Sequence, residues 1–227
     1  MDTDRKWVVV RIDGKIAAIS TDYRQLAVIS TMLARSSGDA EGKGGKRSKT
    51  QAGRTGMYAE ITATTVGMDE VWQLRNDVSW DDLMLFGTDF QKKVWRKLWE
   101  LTHPSGHGLV EYGEGHAEQQ EELSDIPRLI SYSDFAELCQ NRAGVRAVAH
   151  AIGLNPVSVV VPCHLVIPKE SIDKIAEIHK KAEATIFKGD DLCISSILND
   201  SSIDFGEYAL GKDLKRTLIS MELTERQ

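Results

Sequence analysis

Alternating apolar and polar residues near the start of the chain predict a β-hairpin. Two β-rich segments within residues 7–20 flank Asp13-Gly14, and this dipeptide is the strongest short-range signal for a type I′ turn. Apolar residues at helical spacing predict a helix over residues 22–35. Further along, β-branched residues predict another strand over residues 57–66.

The rest of this N-terminal region is predicted to be irregular or weakly helical. Residues 38–56 are rich in Gly, Lys and Arg with few apolar positions, which indicates a mobile basic loop and favours a solvated linker over a dedicated DNA-binding arm. A short helix is predicted over residues 79–85, where Ser79 and Asp82 have the spacing of a capping box. Residues 1–86 are therefore predicted to form a small α+β subdomain.

The second half of the chain is predicted to be mainly helical. Phe90, Val94, Leu98 and Leu101 recur at helical spacing, which predicts a core helix beginning near Asp89. After it, residues 102–126 contain six acidic residues and no Lys or Arg, which is typical of a surface insertion.

Two further helices are predicted over residues 131–141 and 145–153, separated by a break that contains Gly144. Their arrangement suggests helix-turn-helix geometry, although any corner between two helices would produce the same pattern. The second helix has small residues on its surface and carries Arg146 without an acidic residue. A slim, locally basic helix of this kind could approach a nucleic-acid groove.

Composition narrows the class of protein. The 227 residues are 41% hydrophobic and 27% charged, so disordered, collagenous and disulfide-scaffold classes are excluded. The formal net charge of -6 argues against a polyanionic partner, although total charge does not exclude a local basic patch. The longest apolar runs are far shorter than the roughly 20 residues of a membrane span. A soluble, cytoplasmic protein that does not bind membranes is expected.

Three cysteines stand at spacings that match neither a disulfide framework nor a zinc site. They are expected to be reduced thiols, and neither a metal nor a cofactor is predicted. Cys163 follows a predicted buried strand over residues 157–161 and precedes His164. A thiol attacks as thiolate, which a neighbouring imidazole can promote, whereas an isolated Cys-His pair is more often inert packing.

The sequence around this pair resembles a known family. The string NPVSVVVPCHLVIP, from Asn155 to Pro168, resembles the active-site motif of the O6-methylguanine-DNA methyltransferases, whose usual form is N-P-(x)5-PCHRV. GTDFQKKVW, ISYSDFAEL, AGVRAVAHAIGLNP and YALGKDLKRTLISME resemble other motifs of that family, in the same order. These five motifs are distributed over residues 87–222, which makes the resemblance much more specific than any one of them.

The resemblance implies catalytic roles for individual residues. Cys163 would accept the methyl group of O6-methylguanine by in-line displacement and become S-methylcysteine. His164, through a water molecule, would take the thiol proton, with Glu222 orienting the imidazole. Tyr132 would help to turn the DNA backbone and donate a proton toward the guanine ring. Asn155 would brace the turn between the recognition helix and the active-site strand.

Other residues would bind DNA and substrate. Arg146 would occupy the space of the extruded nucleotide, with the small Ala147 beside it on the same helix. Val166 would offer backbone to the flipped base, and Tyr208 and Ala209 would line the substrate site. Several members have Ser where Ala209 stands, so its backbone N–H would be the donor to O6.

The chain departs from the family pattern in two places. Leu165 replaces the Arg that normally follows Cys-His, which removes a cation from the site. The stretch over residues 169–204 is about 30 residues longer than in compact relatives. Within it, apolar residues from Ile172 to Ile186 predict an amphipathic helix that packs as a lid or a side wall near the substrate loop.

The expected fold is α+β, with the N-terminal subdomain followed by a winged-helix-like DNA-binding and active-site domain over residues 87–227. The implied function is stoichiometric repair of O6-methylguanine, with double-stranded DNA containing O6-alkylguanine as partner and a monomer as the expected state. One alternative is a non-catalytic lesion sensor, although those proteins carry another residue at the position of Cys163. A Cys-His hydrolase is a weaker alternative, because it would leave the DNA-reading helix without a purpose.

Overall fold

The structure, a computed structural model, describes the backbone of residues 5–21, 60–103, 129–183 and 190–224 and, apart from residues 182–193, their side chains. The predicted helix over residues 22–35, the basic loop and nearly all of the acidic insertion lie outside these ranges. Helices and small sheets occur together, so the predicted α+β class is confirmed. The winged-helix-like arrangement stays a prediction.

The chain divides into two compact units. One comprises residues 2–88 and 156–158, and the other comprises residues 89–155 and 159–227. The domain boundaries drawn from the sequence stay a prediction, and the two units are described separately below.

The first unit is built on a three-stranded antiparallel sheet with the strand order β2-β1-β3. Its strands are β1 (Trp7–Ile12), β2 (Lys15–Ser20) and β3 (Ile61–Val66). Asp13 and Gly14 have φ values of 50° and 80°, and a type I′ turn requires positive φ at both central residues. The predicted hairpin is therefore confirmed.

A helix that the sequence analysis did not identify follows the sheet. This helix, α1 (Met68–Asp77), buries Met68, Val71, Trp72 and Arg75, and these positions have the i, i+3, i+4, i+7 spacing of an apolar helix face. The predicted helix over residues 79–85 is wrong in length, since only one 3₁₀ turn forms, at Trp80–Asp82. Leu83 ends the turn because it pairs with Ile16 of β2.

The segment before Cys163 is buried, as expected, but it is not a regular strand. Ile19 N–H donates to the Pro156 carbonyl at 2.9 Å, and Ser158 N–H donates to the Ile19 carbonyl at 3.2 Å. Val159 then has a φ of 74°, which is an uncommon conformation for a β-branched residue and is incompatible with an extended strand. The predicted strand over residues 157–161 is therefore wrong, because the backbone reverses within it.

The second unit contains six helices among its described residues, together with two short parallel strands, β4 and β5. In chain order these elements are α2 (Asp89–Glu100), β4 (Ile130–Ser131), α3 (Tyr132–Leu138), α4 (Val145–Gly153), β5 (Val166–Ile167), α5 (Lys169–Glu183), α6 (Asp190–Asn199) and α7 (Lys212–Thr224). None of the described helices is long and apolar enough to cross a membrane.

Helices α2 and α3 both pack against α4. The predicted core helix is confirmed in α2, and the indole N–H of Trp95 donates to the Ala151 carbonyl of α4 at 2.8 Å. Ser131 caps α3 by accepting from the Asp134 backbone N–H at 3.1 Å. Helix α3 ends at Leu138 rather than at residue 141, since Gln140 has a positive φ of 56°.

The long segment after the Cys-His motif contributes to a hydrophobic core. Its helix α5 is described to Glu183, and α6, which the pattern did not predict, follows it. Ile175 of α5 and Ile197 of α6 are buried with Ile219 of α7 in one cluster. The inserted helices therefore stabilise the position of α7, the helix that carries Glu222.

Candidate active site

Cys163 begins a 3₁₀ turn, Cys163–Leu165, directly after Pro162. Only 6% of the residue is exposed. Its sulfur accepts a hydrogen bond from the Asn155 amide at 3.1 Å and lies 3.9 Å from the Tyr208 hydroxyl. A residue 8 positions before Cys163 and another 45 positions after it are thus brought to the same thiol.

Asn155 has a second contact that explains how the turn holds its shape. The same amide nitrogen donates to the Val161 carbonyl at 2.7 Å, and an amide NH₂ group has two hydrogens to give. One side chain therefore ties the end of α4 both to the backbone before Cys163 and to the sulfur. This geometry supports the bracing role that the family resemblance implied for Asn155.

The environment keeps the resting thiol protonated at neutral pH. Burial raises the pKa of Cys163, while hydrogen bonds with Asn155 and Tyr208 and the charge of Lys215 act in the opposite direction. Burial has this effect because it disfavours the charged thiolate. A reaction at this sulfur consequently needs a base to receive the proton.

His164 and Glu222 form a buried pair next to the thiol in sequence. His164 Nε2 lies 2.8 Å from Glu222 Oε1, and the two side chains are 0% and 5% exposed. An ionised carboxylate accepts a hydrogen bond from the Nε2–H group of a neutral imidazole. The lone pair of that imidazole is then on Nδ1. The pair is therefore a candidate general base, in which the carboxylate orients the imidazole as in a triad.

Lys215 is a buried charged residue beside this site that the sequence analysis did not single out. It is 1% exposed, and its ammonium group donates to the Val166 carbonyl at 2.8 Å and to the Glu207 carbonyl at 3.4 Å. Burial lowers its pKa to about 8, while the Cys163 thiolate and acidic neighbours act against this shift. The signal was present in the sequence, since Lys215 is the Lys of the C-terminal motif.

Tyr132 and Val166 lie around the same lysine. The Lys215 ammonium is 5.7 Å from the centre of the Tyr132 ring, and it occupies one lone pair of the Val166 carbonyl. Burial, followed by the negative charges of Cys163 and Glu207, raises the pKa of Tyr132. The phenol therefore keeps its proton at neutral pH and can act as a donor.

The remaining predicted residues lie outside this group of contacts. Ala209 is exposed next to Tyr208, in a turn closed by a hydrogen bond from Gly211 N–H to the Tyr208 carbonyl at 3.0 Å. Arg146 and Ala147 are exposed on α4, two turns or more before Asn155. The candidate DNA contacts and the thiol are therefore joined through α4 and the Asn155 amide.

Leu165 and Cys139 are two other buried residues that bear on the candidate site. Leu165, which stands where the family has Arg, is 1% exposed, so it adds apolar surface beside His164. Cys139 is buried, and burial raises its pKa to about 11. Cys163 is consequently the better placed nucleophile of these two thiols, because the Asn155 amide donates a hydrogen bond to its sulfur.

Comparison with known proteins agrees with the resemblance seen in the motifs. Residues 114–184 match the family model described as the DNA-binding domain of 6-O-methylguanine DNA methyltransferase. A probable methylated-DNA–protein-cysteine methyltransferase of Acanthamoeba polyphaga mimivirus is 34% identical over 106 residues, which are 46% of this chain and 56% of that protein. The inducible methylated-DNA–protein-cysteine methyltransferase of Bacillus subtilis is 40% identical over 83 residues, 37% of this chain and 34% of that protein.

Two solved structures are also similar to this chain. Mycobacterium tuberculosis OGT in complex with DNA has 24% identity and a TM-score of 0.34, over 63% of this chain and 54% of that chain. The O6-methylguanine-DNA methyltransferase of Pyrococcus kodakaraensis has 19% identity and a TM-score of 0.42, over 96% of this chain and 91% of that chain.

The family model and the curated relatives therefore agree with the resemblance recognised from the motifs, and residues 114–184 are the part of the chain that matches the DNA-binding domain model. The matched regions span between about a third and just over half the length of the curated relatives.

Proposed function

We propose that this chain repairs DNA by moving the methyl group of O6-methylguanine in a duplex onto Cys163. The observation that carries the proposal is the buried thiol held by Asn155 and Tyr208, next to the oriented His164–Glu222 pair. This constellation lies partly within the segment that matches the family's DNA-binding domain.

The chemistry balances without a cofactor. His164 takes the thiol proton through a water molecule, and the sulfur attacks the methyl carbon in line with the bond to O6. The S–C bond forms as the C–O6 bond breaks, and the bonding electrons move to the leaving guanine. The base gains a proton at a ring nitrogen from Tyr132, which recovers one from the imidazolium. Overall, the thiol proton passes to guanine.

The product explains why the reaction is stoichiometric. S-methylcysteine is a thioether without a labile proton, and the described site has no second nucleophile directed at its methyl group. Each molecule would accept one alkyl group and then be spent. The presence of Cys163 with its donors and base disfavours the alternative of a non-catalytic lesion sensor.

The DNA side of the proposal concerns α4. An alkyl group inside a duplex is out of reach, so the nucleotide must be extruded and its place in the stack filled. Arg146 is the exposed side chain proposed to fill it, with Ala147 allowing close approach to the groove. Val166, Tyr208 and Ala209 would bind the extruded base. We also propose a cytoplasmic location and a monomeric state, as expected from the sequence.

The test is intact-mass measurement after incubation with a duplex oligonucleotide containing O6-methylguanine. We expect the mass of one methyl group to be added and, after proteolysis, to be located on the peptide containing Cys163. Cys163→Ala should abolish the transfer, whereas the matched variant Cys139→Ala should retain it. A methyl group on Cys139 or Cys193, or binding of the lesion without any transfer, would refute the proposal.

A further inference from the structure

The exposed face of α4 carries one basic group beyond Arg146. Val148, Ala151 and Ile152 are buried on the inner side of the helix. The outer side has the spacing of one helix face, with neighbours three or four positions apart. Its residues, all of them exposed, are Arg146, Ala147, His150 and Gly153. His150 lies one turn after Arg146, about 6 Å along the helix axis.

This face differs in charge from the chain as a whole. The net charge is -6, yet α4 contains no acidic residue. Among the described residues, neither Arg146 nor His150 has a hydrogen-bond or ion-pair partner for its side chain. Arg142, by contrast, pairs with Glu137 at 2.9 Å. Arg146 and His150 are therefore two basic side chains without an acidic partner in the described part of the chain, one helical turn apart on the outer face of α4.

We propose that His150 contacts a phosphate of duplex DNA next to the position where Arg146 enters the stack. The inference rests on the proposed function, because it assigns a further contact to the same DNA-binding face. An imidazole can donate an N–H to a phosphate oxygen whether neutral or protonated. Phosphate contacts of this kind set the register of a protein on the duplex, so His150 would fix α4 while Arg146 replaces the base.

The neighbouring small residues make this contact sterically feasible. Ala147 is short, and a Cβ added at Gly153 would meet no atom within 4 Å. Because Ala147 and Gly153 project little from the helix surface, α4 can lie close to a groove of duplex DNA. The open space at Gly153 also provides a site where a cation can be added to this face without disturbing packing.

The experiment measures the affinity of the full chain for an unmodified DNA duplex as a function of salt. His150→Ala should weaken binding by about threefold to tenfold, as expected from the net contribution of a typical hydrogen bond. His150→Lys should bind more tightly, with a plot of log affinity against log salt steeper by about 0.9. Gly153→Lys should shift affinity and slope in the same direction. His179→Ala on α5 is the matched control and should equal the wild type.

A second readout separates this inference from the proposed function. The rate of reaction with free O6-benzylguanine should be unchanged in His150→Ala, because no duplex is involved. A large loss of this rate would indicate that the variant is misfolded. The DNA affinities of His150→Lys and Gly153→Lys would then test the proposed contact. If all three variants bind duplex DNA like the wild type, the contact is refuted even when methyl transfer is intact. If the variants change DNA affinity as expected but the wild type transfers no methyl group, the proposed function is refuted and the His150 contact is supported.

Discussion

Glu222→Gln is the sharpest test of the proposed base, because it removes a charge and keeps the shape of the side chain. Glu222 Oε1 is 2.8 Å from His164 Nε2, and both residues are buried. A glutamine can place its carbonyl oxygen in the same position and still accept a hydrogen bond from the Nε2–H group. The neutral imidazole should therefore stay oriented, and the free energy of unfolding should change little.

The expected loss comes from the charged intermediate. When His164 takes the proton of Cys163, an imidazolium forms beside the carboxylate. Two unit charges about 4 Å apart attract each other by about 4 kcal/mol at an effective dielectric constant of about 20. Since about 1.4 kcal/mol corresponds to a factor of ten in rate, and since part of this attraction is offset by reorganisation, Glu222→Gln should slow transfer by about 10² to 10³-fold.

The assay is single-turnover methyl transfer from an O6-methylguanine duplex, with DNA affinity and thermal unfolding measured in parallel. Glu177→Gln is the matched control, since Glu177 is an exposed carboxylate paired with Lys181, and it should react like the wild type. If Glu222→Gln binds DNA normally and transfers the methyl group within about threefold of the wild-type rate, His164 is not activated by this carboxylate. The triad-like interpretation would then be wrong.

Two further predictions concern the neighbours of the thiol. Burial lowers the pKa of Lys215 to about 8 from an ordinary 10.5, so the unfolded chain binds more protons between these values and the contribution of this group to stability rises with pH. Urea unfolding should show the wild type gaining about 2.5 kcal/mol over Lys215→Met between pH 7 and pH 10, and a constant difference would contradict the burial argument. Leu165→Arg should lower the free energy of unfolding by about 3 kcal/mol, because an unpaired charge enters a buried position, whereas Leu165→Met should cost less than about 1.5 kcal/mol. Because burial raises the pKa of Cys163, the wild-type rate should rise with pH through neutrality, and Leu165→Arg should move that rise to lower pH with a rate change of about tenfold or less; an unchanged pH profile in a folded variant would show that the cation does not act on the thiol.

Local chemistry made several elements predictable from the sequence. The Asp13-Gly14 turn and the apolar face of α2 are set by backbone preferences and periodicity over a few residues. The motif around Cys163 and His164 located the candidate site through its resemblance to a family. Each of these signals lies within one short stretch of chain, which is why no tertiary information was needed to read them.

Other features depend on contacts between distant residues. The backbone reversal at Val159 occurs in a β-branched run that locally favours a strand, and the surrounding hydrogen bonds of Pro156, Ser158 and Val161 override that preference. Helix α1 was missed although its buried positions have helical spacing. Local propensity is a weak constraint that tertiary context commonly overrides.

The electrostatics of the site were decided only by the fold. His164 and Glu222 are 58 residues apart in sequence and meet in a buried pair. Lys215 reads as an ordinary exposed helix charge until the structure buries it against the Val166 carbonyl, 49 residues away. Removal from water is what shifts the pKa values of Cys163, Tyr132 and Lys215, and burial is a property of the assembled structure. The sequence by itself therefore predicted candidate groups for the chemistry, and the tertiary structure determined how these groups are buried and paired.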